Sequence, residues 1–572
     1  MNIHSLHSQD KTNLRVHPRP SWIPFGFWRG QVRSIQKASV LVASVLVGFF
    51  YFGSVANAND ESNSHVIFFP FFSYQVIIPI PPFADFDGDG YSDLAIGIPE
   101  EDVRDIPDAG AVIVLFGSSG GIDEDDDQRW DQDTPGISGS VERDDQFGRA
   151  VAAGDFNDDG FTDLAIGAPY ENLGDDSDAG AVNILYGSTE GLDDDDDQRW
   201  SQDSSGIADD ASDDDQFGRT LIAADFNGDR YADLAIGAPE ENIDGESDAG
   251  AVNVLYGTST GLTASGNQFW HQNSFAIFDV VENKDRFGQS LAAGDFNRDG
   301  YADLAVGVPE ENIGATNAGA VHVLYGSPAG LNANGNQLWH QDSPGIEGSG
   351  EHDDKFGKAL VAGDFNGDGL ADLAIGIAEE DIEDENNAGA VTVLYGSPFG
   401  LTVVGSQKWH QDSSGISGSA ESGDQFGRAL AAGDFNGDGY DELAIGVPEE
   451  DVNGASNAGA VNILYGSPVG LSANNEQRWD QSSSGVAGSA ESGDQFGRAL
   501  TTGDYNQDGC YVDLAIGVPF EDIEDIPDAG AVNILYGTAS GLSSRDDQRW
   551  DQNTSGIDGS AESGDHFGQA IE

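Results

Sequence analysis

Seven short acidic loops hold the residues of this chain that could do chemistry. The first reads Asp85-Phe-Asp87-Gly-Asp89-Gly90-Tyr-Ser-Asp93, with side-chain oxygens at loop positions 1, 3, 5 and 9. Gly90 stands at position 6, where the chain must turn sharply. The other six sets are Asp155, Asn157, Asp159 and Asp163; Asp225, Asn227, Asp229 and Asp233; Asp295, Asn297, Asp299 and Asp303; Asp364, Asn366, Asp368 and Asp372; Asp434, Asn436, Asp438 and Glu442; and Asp504, Asn506, Asp508 and Asp513. Calcium takes six to eight hard oxygen ligands at flexible geometry, and four such side chains plus a backbone carbonyl from position 7 suit it. Carboxylates held this close together oppose folding unless a cation sits among them. The expectation is Ca²⁺, up to seven ions per chain. Strand-forming flanks exclude a helix–loop–helix calcium site.

The loops are not equal. Asp158 adds a charge outside the ligand positions of the second, and Arg230 replaces the turn glycine of the third. Glu442 lengthens the last ligand of the sixth, and Cys510 inserts one residue into the seventh, so that Asp513 comes one place late. The third and seventh are expected to bind most weakly.

The spacing of the loops dictates what must position them. Their first residues step by 70, 70, 70, 69, 70 and 70. A repeat of that length is one supersecondary unit that stacks on its neighbours to bury its apolar face. In the second repeat four β-rich pieces alternate with Gly/Asp/Asn/Pro turns: residues 147–155, 163–169, 179–187 and 198–202. No segment has helical periodicity. The pattern predicts an all-β, seven-bladed β-propeller with four-stranded antiparallel blades. Trp130, Trp200, Trp270, Trp339, Trp409, Trp479 and Trp550 recur once per unit and read as packing between sheets. The chain starts its repeats with a loop and ends them with a Phe567-Gly568 strand, so residues 566–572 are expected to complete the first blade and close the ring.

Composition bounds the partners. Lys and Arg number 24 against 101 Asp and Glu in 572 residues, a formal charge of -77, which excludes nucleic acid and anionic lipid as partners. The sole cysteine, Cys510, rules out disulfides between Cys residues of one chain. Residues 39–55 are apolar, follow Arg29, Arg33 and Lys37, and precede Ala56-Asn57-Ala58. Residues 1–58 therefore read as a secretory signal peptide, with an uncleaved N-terminal membrane anchor as the alternative. Residues 59–80 read as a linker or degenerate strand, and 81–572 as the propeller, itself not membrane-inserted. The expected product is secreted or held at the cell surface, and monomeric.

Phe147-Gly148 with Gly167-Ala168-Pro169, and Phe217-Gly218 with Gly237-Ala238-Pro239, resemble the FG-GAP repeat family, the seven-bladed propeller at the head of integrin alpha subunits and of many exported bacterial proteins. The resemblance implies calcium in β-hairpin loops on one face of the disc, and extracellular recognition or cell adhesion. This chain departs from the integrin pattern by carrying a loop in every blade. The leading function is recognition of an extracellular protein or glycan. A surface structural protein is the alternative, and a secreted polysaccharide-acting enzyme a further one. His271, His340 and His410 follow the repeat Trp in three units, but Asp131, Ser201, Asp480 and Asp551 stand there in the others, which reads as surface variation rather than a catalytic centre. No catalytic residue is expected.

Overall fold

The computed structural model describes residues 84–509 and 511–572. The signal-like segment, the linker and Cys510 fall outside them. The described chain is a seven-bladed propeller of seven four-stranded antiparallel sheets. In the second blade the strands run in spatial order Ala150–Gly154, Asp163–Ala168, Ala181–Ser188, Gly191–Trp200. The first of these lies innermost, against the corresponding strands Thr220–Ala224 and Ala570–Ile571 of its neighbours. The two middle strands, buried on both faces, read as continuous apolar runs; every residue of Asp163–Ala168 is buried. Side chains from adjacent blades form shared cores. One of them joins Phe156, Val182 and Ile184 to Leu234, Ile236 and Leu255 of the next blade. Trp130 and Trp550 sit in such cores, as their spacing predicts.

The outermost strand starts earlier than its expected span of 198–202 and ends at Trp200. The acidic run from Asp193 to Asp197, which reads as turn, lies within it. An edge strand has one face and one ladder open to water, so a carboxylate run costs little there.

The Phe-Gly and Gly-Ala-Pro elements meet across blades. Phe147 is buried and donates its N–H to Ala109 O of the preceding blade at 2.9 Å. Gly148 follows in the left-handed region with φ 89°, where a side chain would be strained. Its carbonyl oxygen lies 2.1 Å from where a Cβ on Gly97 would sit, so Gly97 accepts no side chain without displacing backbone. The same contact recurs between Gly167 and Gly218.

Ala570–Ile571 lies in the first blade's sheet, pairing antiparallel with Leu94–Ile98 through Ile96↔Ile571 and Gly97↔Ala570. Ala95 N–H donates to Glu572 O at 2.9 Å, and Ala95 O accepts from Glu572 N–H at 3.0 Å. The seventh blade also touches the first directly: Asp504 N–H donates to Ser92 Oγ at 3.0 Å, and Gln548 Nε2 donates to Ile122 O at 2.8 Å.

Candidate metal centre

Six of the acidic loops join the innermost strand of a blade to the second, and the first leads directly into the second strand Leu94–Ile98, so all seven stand at one end of the innermost strands, opposite the Phe-Gly turns. Asp at position 1 holds the turn by accepting the N–H of position 6: Gly160 to Asp155 at 3.0 Å, Gly300 to Asp295 at 2.9 Å, Gly369 to Asp364 at 2.8 Å and Gly439 to Asp434 at 2.8 Å. The third loop keeps this bond. Arg230 adopts φ 85° and donates to Asp225 at 2.9 Å, so the missing glycine costs strain but not the loop's shape.

The closing residue has a structural part that spacing alone did not reveal. One oxygen of Asp93, Asp163, Asp233, Asp303 or Asp513 accepts the N–H at position 2, from Phe86, Phe156, Phe226, Phe296 or Tyr505, at 2.7–3.0 Å. The other oxygen accepts from a glycine at the end of the third strand: Gly117, Gly187, Gly257, Gly326 or Gly537, at 2.8–3.0 Å. Asp372 takes the bond from Gly396 at 2.8 Å. The repeated Tyr-Gly and Phe-Gly pairs that end the third strand were the sequence signal for this anchor. Asp513, which comes one place late in the sequence, is anchored like the others. At position 1 of the seventh loop Asp504 Oδ1 is buried without a partner, as Asp85 Oδ1 is in the first.

These closing carboxylates are fully or almost fully buried. Burial pushes Asp93, Asp163, Asp233, Asp303 and Asp372 up to about 8, with the donated backbone N–H groups pulling the other way. Glu442 is raised to about 9, by burial and then by Asp434 and Asp438. Asp85 rises to about 6 through burial and the charge of Asp87.

Fit to a cation follows from unmatched acceptors. Among the described residues, Asp85 Oδ1, Asn297 Oδ1, Glu442 Oε2 and Asp504 Oδ1 are buried oxygens with no hydrogen-bond donor, one in each of four loops and all at ligand positions. Carboxylate oxygens gather within 4.8 Å of one another in the first loop, through Asp85, Asp87 and Asp89, and in the sixth, through Asp434, Asp438 and Glu442. In three loops the position-3 amide turns its nitrogen to the closing carboxylate: Asn227 to Asp233 at 3.4 Å, Asn366 to Asp372 at 3.1 Å and Asn436 to Glu442 at 2.8 Å. The oxygens of Asn157, Asn227 and Asn506 accept the position-5 N–H of Asp159, Asp229 and Asp508 at 2.8–2.9 Å. A hard divalent cation matches acceptors in excess of donors.

A second set of carboxylates, missed in the sequence, lies at the opposite end. Glu101, Glu171, Glu241, Glu311, Glu380, Glu450 and Glu521 are buried, and each accepts from a glutamine of the neighbouring blade, such as Gln132 on Glu171. In five blades an outer-strand cation joins them: Arg129 on Glu101 at 2.9 Å, Arg199 on Glu171 at 2.7 Å, Arg478 on Glu450 at 2.8 Å, Arg549 on Glu521 at 2.9 Å, and Lys408 on Glu380. Phe269 and Leu338 stand at that place in the other two. Glu241 and Glu311 are accordingly pushed up to about 8 by burial, then by Asp215 and Asp285. The signal was present as Gln-Arg-Trp in four repeats, broken to Gln-Phe-Trp and Gln-Leu-Trp in two.

His271, His340 and His410 begin turns in which their backbone N–H donates to Ser274, Ser343 or Ser413 Oγ at 3.0–3.1 Å. Asp131 makes the equivalent bond to Thr134 at 3.1 Å, so the turn accepts His or Asp. Burial lowers all three histidines below their ordinary range.

Comparison with known proteins agrees with the geometry. The FG-GAP repeat profile matches residues 81–115, 147–185, 217–255, 287–324, 356–394, 426–464 and 496–535, one segment per blade. Integrin alpha-PS2 of Drosophila melanogaster is 32% identical over 43% of this chain and 16% of its own length. Integrin alpha-5 of Xenopus laevis is 32% identical over 41% and 20%. Phosphatidylinositol-glycan-specific phospholipase D of Rattus norvegicus is 35% identical over 28% and 18%. The matched part thus spans a fifth or less of these relatives. With seven matched segments, the Phe-Gly contact across blades and the propeller itself, the chain belongs to the FG-GAP repeat family.

Proposed function

We propose that this protein is an extracellular recognition module, braced by calcium in its acidic loops, that binds a protein or glycan through the face away from those loops or through the rim. The observation that carries the calcium reading is the set of buried loop oxygens without donors in four blades. Repetition strengthens it, because one stabilising ion per blade acts on the body as a whole. Support for recognition comes from the integrin alpha likeness and from a rigid scaffold that displays variable tracts at residues 170–178, 241–248 and 311–317. Among the described residues, no helix is long and apolar enough to cross a membrane.

The reading is non-catalytic. The likeness to a phospholipase D covers a small part of that enzyme, and the ionisable clusters here recur blade after blade. Binding of the purified propeller to whole cells and to a glycan array, in calcium and after chelation, tests the proposal. Saturable binding lost on chelation is expected. Absence of binding to either, with ordered self-assembly of the protein, would favour the structural surface role instead.

A further inference from the structure

The residue after each Phe-Gly pair stands at the entry of the innermost strand, so seven such residues surround the axis at one end. They are Arg149, Arg219, Gln289, Lys358, Arg428, Arg498 and Gln569. Five are cations, out of only 18 Lys and Arg in the chain after residue 83. A chain with a net charge of -77 has thus placed more than a quarter of its propeller cations around one point. All five are half-buried.

Their surroundings leave donors over. Arg149 reaches Glu100 at 3.5 Å, and Arg219 donates to Tyr170 Oη at 3.0 Å. Lys358, Arg428 and Arg498 have no side-chain hydrogen bond and no carboxylate within ion-pair distance among the described residues. Five glutamates ring the cluster: Glu100, Glu240, Glu310, Glu379 and Glu449. Most are already engaged. Arg286 holds Glu240 and Glu310 at 2.9 and 3.0 Å, Lys355 holds Glu379 at 3.0 Å, His566 holds Glu100 at 3.2 Å and Gln495 donates to Glu449 at 2.9 Å. The central cations feel one another across the ring. Burial lowers Arg149 first, then Arg219 and Arg428 lower it further; burial and then Arg428 bring Lys358 down to about 7. Half-buried guanidinium groups that repel one another and lack acceptors favour a ligand bringing several negative oxygens at once.

We propose that the Phe-Gly end of the axis is an anion site, where Arg149, Arg219, Lys358, Arg428 and Arg498 receive a multiply charged oxyanion group of the sulfate or phosphate class. Its use in recognition rests on the function proposed above; the binding itself does not. A polyanion's approach to a strongly acidic body is repelled everywhere else, so the site selects a single group presented along the axis.

Titration calorimetry of the intact, calcium-loaded protein with inorganic sulfate, at ionic strength fixed by chloride, tests this. Sulfate should bind, and Arg428→Gln with Arg498→Gln should weaken it at least tenfold. Arg104→Gln with Arg545→Gln, at exposed surface positions, should leave it unchanged. Removing mutual repulsion means the axial variant should melt no lower than the parent in chloride alone, which separates lost binding from lost folding. Equal sulfate affinity in the parent and the axial variant, or no binding by the parent, would overturn the proposal. A sulfated disaccharide that binds more tightly than free sulfate would place the group on a glycan; a tighter free ion would make it a small-anion site. Sulfate binding with no cell or glycan binding would sink the recognition reading alone.

Discussion

The two ends of the innermost strands solve opposite versions of one problem. At the loop end, oxygens outnumber donors, and the buried Asp85 Oδ1, Glu442 Oε2 and Asp504 Oδ1 are left without partners. At the Phe-Gly end, Lys358, Arg428 and Arg498 hold donors without acceptors in a chain that is otherwise overwhelmingly acidic. Backbone placement is the same in every blade, so the contrast arises from side chains alone. The teaching is that rotational repetition multiplies charge at the axis and at each loop alike, and a ligand of opposite sign relieves it more effectively than any one blade's side chains. Farther from the axis the Phe-Gly end changes sign again, and there five blades supply their own Arg or Lys while two do not.

The largest expected effect is at the loop end. Chelating calcium should lower the melting temperature steeply, because an ion that binds only the folded loops contributes about 2.7 kcal/mol per site at a hundredfold excess over Kd. Calorimetry in calcium and in chelator checks it, and equal midpoints would erase the contrast between the two ends. Magnesium, which demands stricter octahedral geometry, should restore little.

Next is the first blade, whose innermost strand and acidic loop come from opposite ends of the chain. Deleting residues 566–572 removes its Phe-Gly turn and the strand bonded to Ala95, while leaving the loop from Asp85 to Asp93. The truncated protein should melt lower and self-associate through the exposed edge of Leu94–Ile98, as light scattering would report. Unchanged melting and mass would show that the blade does not depend on its terminal strand.

A smaller effect separates one loop from another. Asp364 belongs to a loop of regular spacing whose turn it preorganises by accepting from Asp368 and Gly369, whereas the seventh loop carries one extra residue, so Asp364→Ala should cost more calcium-dependent stability than Asp504→Ala. Matched calcium titrations of the two variants decide it. Had the order been reversed, the orphaned oxygen would mark the stronger site.

The smallest effect concerns the two bare glutamates. Glu241 is raised to about 8 and Asp215 to about 7, both first by burial. Their folded values lie above those of the unfolded chain, so stability is fully present below about pH 4 and is lost as pH rises towards 7–8. Phe269→Arg, which copies Arg199 beside Glu171, should add about 1–3 kcal/mol near pH 8 and flatten that loss. Denaturant unfolding at pH 5 and pH 8 reads both quantities.

Much of this was legible in the chain. The steady step between loops and the four turn-bounded pieces were enough to infer blades, and Trp130 and Trp550 occupy the packing positions their period implied. The ligand residues could be placed on the loops, but not the second duty of the closing carboxylate. Its bond to Gly187 lies 24 residues from Asp163 and exists only once the second and third strands pair. The fourth strand was underestimated because acidic residues at an exposed edge look like turn. The axial cations were invisible for a geometric reason: Arg149 and Arg428 are separated by four repeats, and only the arrangement of the blades around one axis brings their charges within range of each other.

The central claim is that the loops hold calcium, and counting ions tests it most directly. Equilibrium dialysis of the purified propeller against radioactive calcium should retain several ions per chain, up to seven, and Asp372→Ala should remove one without unfolding the rest. Retention of no calcium by the folded parent protein, or a count unaltered by that substitution, would contradict the account.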